Sequence, residues 1–217
     1  MNYTVLQIKN EETYPWLKKK HYAKRIPHIC FAFGLYKDKD LIGVITYGIP
    51  ASDALCRGIC GDNYKHMVLE LNRLCLQENK KNEASILVSH SLKLLPKPKI
   101  IVSYADTSQN HVGYIYQATN FVYTGMSTKR TEWRMKGSNK HSKTITEQST
   151  LKERIKNTEL YERVERPRKH RYIYIVADKK IKKEIKKNML YEMEPYPKGE
   201  SKNYDSGGKV SKQLLLL

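Results

Sequence analysis

The run MVLELNRLCLQ, residues 67–77, constrains the fold more than any other stretch of the chain. Met67, Leu69 and Leu71 alternate on one phase, whereas Leu74 and Leu76 take the opposite one. Side chains of a strand repeat with a period of two, so a phase change inside one apolar run has two explanations. Either one extra residue is inserted, or both faces of the strand are covered. The first reading puts a β-bulge at Asn72-Arg73, a device that re-aims side chains and leaves backbone amides able to receive a substrate carbonyl. The second makes the run an ordinary central strand. Both place it inside a sheet.

The flanking segments supply the rest of that sheet. Tyr3 to Ile8 is expected to form a first strand, and WLKKKHYAKR a cationic helix over Thr13 to Arg25. CFAFGLY and LIGVITYGIP flank the charged turn Lys37-Asp38-Lys39-Asp40, which predicts an antiparallel hairpin. Ala84, Leu87, Val88, Leu92 and Leu95 recur at helical spacing until Pro96 ends the pattern. KIIVSY then reads as a buried strand, Asp106-Thr107-Ser108 as capping chemistry for a helix over HVGYIYQATN, and Phe121-Val122-Tyr123 as the start of another strand. The order β, α, β, β, β, α, β, α, β predicts an α/β (α+β) chain, with a mixed, mostly antiparallel sheet flanked by helices on both faces. Residues 1–136 form this core. Beyond Gly137 the apolar density drops, so 137–169 is expected as a basic helical insertion, 170–193 as a closing strand (RYIYIV) and helix, and 194–217 as an irregular tail.

Forty Lys and Arg face twenty-two Asp and Glu, a formal charge of +18. Each phosphate neutralised by such a surface releases condensed counterions, so polyanions are its natural partners. Within and just after the insertion, Lys152, Arg154, Lys156, Arg163, Arg166, Arg168, Lys169 and Arg171 form a further cationic series. It reads either as a groove for phosphates or as a solvated helix with i, i+4 pairs to Glu153 and Glu159. No apolar run approaches the roughly 20 residues of a membrane span, no secretory signal opens the chain, and the expected compartment is the cytoplasm. Cys30, Cys56, Cys60 and Cys75 lack a framework spacing and are expected as reduced thiols. Cys56, Cys60 and His66 lack an obvious fourth ligand, and no metal is expected there.

ADTSQNHVGYIYQATNFVYTG resembles the GNAT acyltransferase pattern, in which a tyrosine-bearing helix precedes an Asn-Phe step into the next strand. WLKKKHYAKRIP, ELNRLCL, SHSLKLL, SYADT and YIYQATNF, in that order, resemble the Mom family of bacteriophage DNA-modification proteins. RPRKHRYIY and EPYPKGESKNYD add to the likeness. This resemblance implies an enzyme of infected bacterial cells that converts the exocyclic amine of adenine in double-stranded DNA to a carboxamidomethyl (methylcarbamoyl) derivative, shielding the DNA from restriction. It departs from the GNAT pattern where a Gly-rich loop holds the pyrophosphate of acetyl-CoA: here the register reads Asn79-Lys80-Lys81-Asn82-Glu83-Ala84.

Carried over onto matching positions, the resemblance implies Arg73, Asp106 and Tyr116 as catalytic residues, and Asn72, Lys81 and Ser85 as donor-binding. Lys20, His21, Lys24, Arg25, Arg168, Lys169 and Arg171 are the expected DNA contacts. Asp106 reads equally as a helix cap, Tyr116 as core and His21 as a surface residue. A target amine inside a duplex must be flipped out and stacked on aromatics, for which Tyr22, Tyr47, Tyr104 and Tyr114 are candidates. Two donors stay open, glycyl-tRNA and acetyl-CoA. A non-catalytic DNA-binding protein on a degenerate GNAT fold and an acetyltransferase of proteins or small amines are the rival readings.

Overall fold

The computed structural model describes residues 2–138, 140 and 142–199. They fall into two compact units, residues 126–169 and the remainder.

In the larger unit the strands are β1 (Tyr3–Gln7), β2 (Phe31–Lys37), β3 (Asp40–Gly48), β4 (Val68–Leu76), β5 (Lys99–Asp106), β6 (Val122–Met126) and a late strand, β9 (Lys169–Val176). They form one sheet in the order β1-β2-β3-β4-β5-β9-β6. The pairs β1/β2, β2/β3 and β3/β4 are antiparallel, and β4/β5 is parallel. The fold is therefore mixed α/β with a mostly antiparallel sheet. Asp38 takes a positive φ at the β2–β3 turn, as a tight hairpin turn demands.

Helices cover both faces. Leu69 and Leu71 of β4, and past the phase change Leu74 and Leu76, all enter one cluster with Leu87, Val88 and Leu92 of α3 (Glu83–Leu94) and Tyr116 of α4 (Tyr114–Ala118). Opposite them, Val68 packs with Cys56, Ile59 and Cys60 of α2 (Asp53–Cys60) and with Ile185 of α7 (Lys179–Lys187). Cys75 meets Leu17 and Val44 on that second side. One inserted residue thus keeps every leucine of β4 on the α3 side, where each fully buried one stabilises by about 1.5–3 kcal/mol.

Two local readings need correction. The first helix is shorter than Thr13 to Arg25: α1 (Asn10–Pro15) continues as a π-helical turn over Trp16–Lys20, and His21 is already extended at ψ 134°. The helix α2 was not expected at all. Ser52 caps it by accepting from the Leu55 amide, and Cys56, Ile59 and Cys60 form its buried face. Burial pushes the Cys60 thiol up to about 11, as befits core packing.

In the smaller unit, β7 (Arg130–Met135) and β8 (Tyr161–Arg166) form an antiparallel ribbon from Arg130↔Arg166 to Met135↔Tyr161. Two short helices, α5 (Ser142–Gln148) and α6 (Leu151–Lys156), accompany it. Ile145 is buried, and the Arg154 guanidinium lies 5.7 Å from the centre of the Trp133 ring. The expected helical insertion is therefore a ribbon with two short helices, and the unit begins at Met126. Arg163 and Arg166 are strand residues.

Candidate active site

The parallel pairing of β4 with β5 covers Val68↔Ile100, Leu69↔Ile101 and Glu70↔Val102, yet β4 runs on to Leu76 and β5 to Asp106. At the root of the divergence Ser103 Oγ donates to the Leu71 carbonyl at 3.0 Å, substituting a side chain for the next ladder bond. The bulge turns β4 aside at this point. Thr46 pairs with Arg73 and Tyr47 with Leu71, so Asn72 is the inserted residue.

Asn72 holds the distortion in place. Its Oδ1 accepts from Thr46 Oγ1 at 2.5 Å, and its Nδ2 donates to the His28 carbonyl at 3.0 Å. Gly48 makes this approach possible, because a Cβ there would lie 1.8 Å from the His28 oxygen. The Asn72 amide is thus engaged by the fold, and its expected donor-binding role is corrected to that of a clamp. Arg73 follows directly. Its Nη1 donates to the Asn72 carbonyl at 2.6 Å, while its Nε is buried with no hydrogen-bond partner among the described residues.

His21 and Tyr22 face Arg73. His21 is 5% exposed, its Nδ1 accepts from the Ala23 amide at 3.1 Å, and its ring stacks on Tyr22 with centroids 4.5 Å apart. Burial, then the charges of Arg73 and His111, lower its pKa to about 4. The imidazole is therefore neutral near pH 7, with its proton on Nε2. The expected DNA-surface role of His21 is corrected: it is an interior group beside Arg73. Tyr22 is 39% exposed, and its phenol is raised by burial and then by the Asp106 carboxylate, with Arg73 opposing.

Asp106 and Tyr116 are coupled electrostatically to the same phenol from other elements. Asp106 Oδ1 accepts from the Ser108 amide at 3.0 Å and from Ser108 Oγ at 2.7 Å, so it is a cap as well as a charge beside Tyr22 and His111. Tyr116 is buried, hydrogen-bonded to Ser103, and held neutral by burial up to about 12, with Tyr22 and Glu70 as further neighbours. It is part of the core. Arg73, Asp106 and Tyr116 each lie within electrostatic range of Tyr22, and Glu70, Ser103 and His111, which the sequence reading did not single out, act on members of the same group.

The remaining expected contacts are dispersed. Lys20 Nζ donates to the Gln77 carbonyl and sits 5.8 Å from the Trp16 ring, Lys24 is exposed, and Arg25 is half-buried with its charge felt at Arg73. Arg168 Nε donates to the Ser127 carbonyl at 2.6 Å, and Lys169 pairs with Ser127 through its backbone. Arg171 is 8% exposed, donates to Thr124 Oγ1 and carbonyl at 3.0 and 2.6 Å, and covers the Tyr191 ring at 3.3 Å. Burial removes Arg171 from any DNA surface. Among the described residues no group of three or more His, Cys, Asp or Glu is arranged to hold a metal.

At the start of α3, Lys81 is exposed and Ser85 Oγ donates to the Asn82 carbonyl at 2.9 Å. Asn79 and Asn82 supply the left-handed turns, with φ of 51° and 70°. Glu83 is 3% exposed, and its carboxylate accepts from the Lys80 amide at 2.8 Å and from the Tyr3 hydroxyl at 3.2 Å. The Glu83 side chain thus folds back from the first turn of α3 and ties that turn to the preceding loop and to β1. The loop lacks the glycines of the GNAT pattern, and the first turn of α3 carries a buried carboxylate where that pattern holds a pyrophosphate.

A model of the Mom protein family matches residues 2–198. The chain belongs to that family. It is 27% identical over 192 residues to a Mom relative, the methylcarbamoylase mom of Escherichia phage Mu, covering 84% of this chain and 78% of that protein. In three dimensions this Mom-family chain is similar to a probable acetyltransferase of Staphylococcus epidermidis ATCC 12228, at 8% identity and a TM-score of 0.47 over 80% of this chain and 99% of that one. It is also similar to a spermidine N-acetyltransferase chimera from Vibrio cholerae, at 11% identity and a TM-score of 0.47 over 81% and 96% of the two chains.

Proposed function

We propose that this Mom-family protein modifies DNA, converting the exocyclic amine of adenine to its carboxamidomethyl derivative. The observation that carries this reading is the electrostatic coupling of Arg73, Asp106 and Tyr116 to Tyr22, on elements that flank the divergence of β4 and β5. A strand bulge, a strand end and a helix each supply one group. Acyl transfer to an amine needs a held carbonyl, a proton acceptor and a proton donor, and these three fill the roles.

In this scheme the unpartnered Nε of Arg73 donates to the acyl carbonyl. Asp106, fixed by Ser108, takes a proton from the adenine amine. Tyr116, neutral and braced by Ser103, gives a proton to the departing oxygen. Tyr22, exposed on one side and stacked on neutral His21, is the aromatic on which an extruded purine rests.

The buried Glu83 disfavours a coenzyme A thioester as donor and favours one without a pyrophosphate at this position, glycyl-tRNA. The adenine amine attacks the glycyl ester, the C–O bond breaks, and the tRNA hydroxyl leaves with its proton. The free glycyl amine then attacks purine C6 through a five-membered ring, and the original C6–N bond breaks. The released amide nitrogen keeps its own proton, takes the one that the glycyl amine gives up, and becomes the carboxamide, joined through a methylene to the glycyl nitrogen now on C6. No oxidant is required. Nucleoside mass spectrometry of DNA from cells expressing the protein tests the reading: modified adenine is expected, whereas unmodified adenine together with intact DNA binding would leave a DNA-binding protein.

A further inference from the structure

The nine-residue helix past the late strand carries seven charged residues in an arrangement that a helix does not favour. The helix α7 has Lys179, Lys180, Lys182, Lys183, Lys186 and Lys187, with Glu184 as its one acid. Lys179, Lys183 and Lys187 stand in a row at i, i+4 and i+8, with Lys180 and Lys186 beside it, all exposed. Like charges at this spacing destabilise a helix by about 0.2–0.5 kcal/mol per pair, and lysines in its first turn oppose the helix dipole. The helix forms because Asp178 caps it through the Ile181 amide at 2.9 Å and because Ile181 and Ile185 dock on the sheet.

Local carboxylates do not offset the row. Glu184 accepts from the Tyr64 hydroxyl at 2.6 Å, and none of the six lysines belongs to an ion pair among the described residues. Lys182 alone is diverted, lying 5.1 Å from the Tyr174 ring. Both isoleucines are turned inward, so no apolar face is left for a bilayer, and an interfacial helix is excluded. What remains is a line of lysine point charges on flexible stems, suited to a phosphate backbone rather than to a shaped anion.

Its position points to the substrate duplex. Ile185 packs beside Val68, and strand alternation corrected for the bulge puts Val68, Glu70, Arg73 and Cys75 on one sheet face. The lysine helix thus sits on the face that carries Arg73, His21 and Tyr22. Val68 to Arg73 spans about 15 Å at roughly 3.3 Å per residue. That distance equals about four base-pair steps, two charges being spaced every 3.4 Å along a duplex.

We propose that the Lys179, Lys183, Lys187 row grips the DNA backbone about four base pairs from the flipped adenine. This rests on the reading that DNA is the substrate. The test compares wild type with the triple variant Lys179→Gln, Lys183→Gln, Lys187→Gln and with the corresponding triple Arg variant. The probes are a labelled 30-base-pair duplex and a hairpin keeping three pairs on either side of the target.

For the long duplex, the Gln variant is expected to bind roughly tenfold or more weakly near 0.1 M salt, with a slope of log affinity against log salt lower by about 2–3. The Arg variant restores both, and the Gln variant melts no lower than wild type because lysine repulsion is removed. On the short hairpin the two proteins bind alike. Equal affinity and equal salt slope on the long duplex would overturn the proposal and leave adenine modification untouched. A changed slope in a protein that modifies no adenine would instead uphold the DNA grip and defeat the enzymatic reading. A loss seen only with tRNA as competitor, and none with duplex DNA, would also overturn it.

Discussion

Thr46 Oγ1 donates to Asn72 Oδ1 at 2.5 Å, and this single bond ties the inserted residue of β4 to the partner strand that it fails to pair with. The second amide bond, to the His28 carbonyl, fixes the other side. Asn72→Ala removes both bonds and should cost about 1–3 kcal/mol in urea unfolding. Activity should fall further than stability explains, because Arg73 takes its direction from the bulge. Asn72→Asp keeps the Thr46 bond and loses the His28 one, so it should fall between the two.

Gly48 offers an independent check on the same feature. A methyl group at this position meets the His28 carbonyl at 1.8 Å, so Gly48→Ala must displace the 28 segment or straighten the strand. Loss of both thermal stability and transfer activity is expected. An alanine variant with wild-type melting temperature and turnover would show that this approach is unimportant.

His21 makes stability depend on pH in a definite direction. Its folded pKa, about 4, lies below the ordinary imidazole value of 6.5, so the unfolded chain binds the extra proton first. The stabilisation is complete above about pH 6.5 and is lost as pH falls from there through 4, by up to about 3 kcal/mol. His111 and His170 are lowered by burial in the same direction. Unfolding free energies measured between pH 7 and pH 4 should therefore fall less steeply in His21→Gln than in wild type.

Tyr116 separates chemistry from packing. Phenylalanine retains the ring contacts with Phe121 and Tyr172, at 5.3 and 5.2 Å, and removes the proton. Tyr116→Phe is expected to bind DNA and to unfold within about 1 kcal/mol of wild type. Its turnover should drop roughly 10²–10⁴-fold.

Glu83 decides the donor question from the protein side. Titrating coenzyme A into wild type should give no binding signal, since the first turn of α3 already holds a buried carboxylate. Glu83→Gln lowers that local negative charge and should admit weak phosphate binding while losing stability, as the charge-assisted bond to the Lys80 amide goes. Tight coenzyme A binding by wild type would contradict the fit described for this loop.

The sequence made the bulge legible because a period of two is strict: Leu71 and Leu74 cannot share a face without an inserted residue, and they do. Arg73, Asp106 and Tyr116 were singled out through motifs, and their common electrostatic neighbour, Tyr22, needed the fold. The β7–β8 ribbon was hidden because Arg130, Arg134, Glu162 and Arg166 are exposed where an apolar alternation would have marked a strand. Arg171 misled for the opposite reason: it belongs to a run of cations but is buried against Thr124 and Tyr191. Glu83 was read only as one letter of a loop lacking glycine. Its partners, Tyr3 and Lys80, come from an edge strand 80 residues away and from the loop itself, a relationship that no local pattern carries.

The decisive measurement is a reconstitution: purified protein, duplex DNA and tRNA charged with isotopically labelled glycine, followed by mass spectrometry of the digested nucleosides. Label in adenine is the expected result, with both glycine carbons in the carboxamidomethyl group and the glycine nitrogen as the exocyclic nitrogen on C6. Its loss in the Arg73→Ala and Asp106→Ala variants is expected as well. Unlabelled adenine in that mixture, with label or acetyl appearing only when acetyl-CoA is supplied, would contradict it.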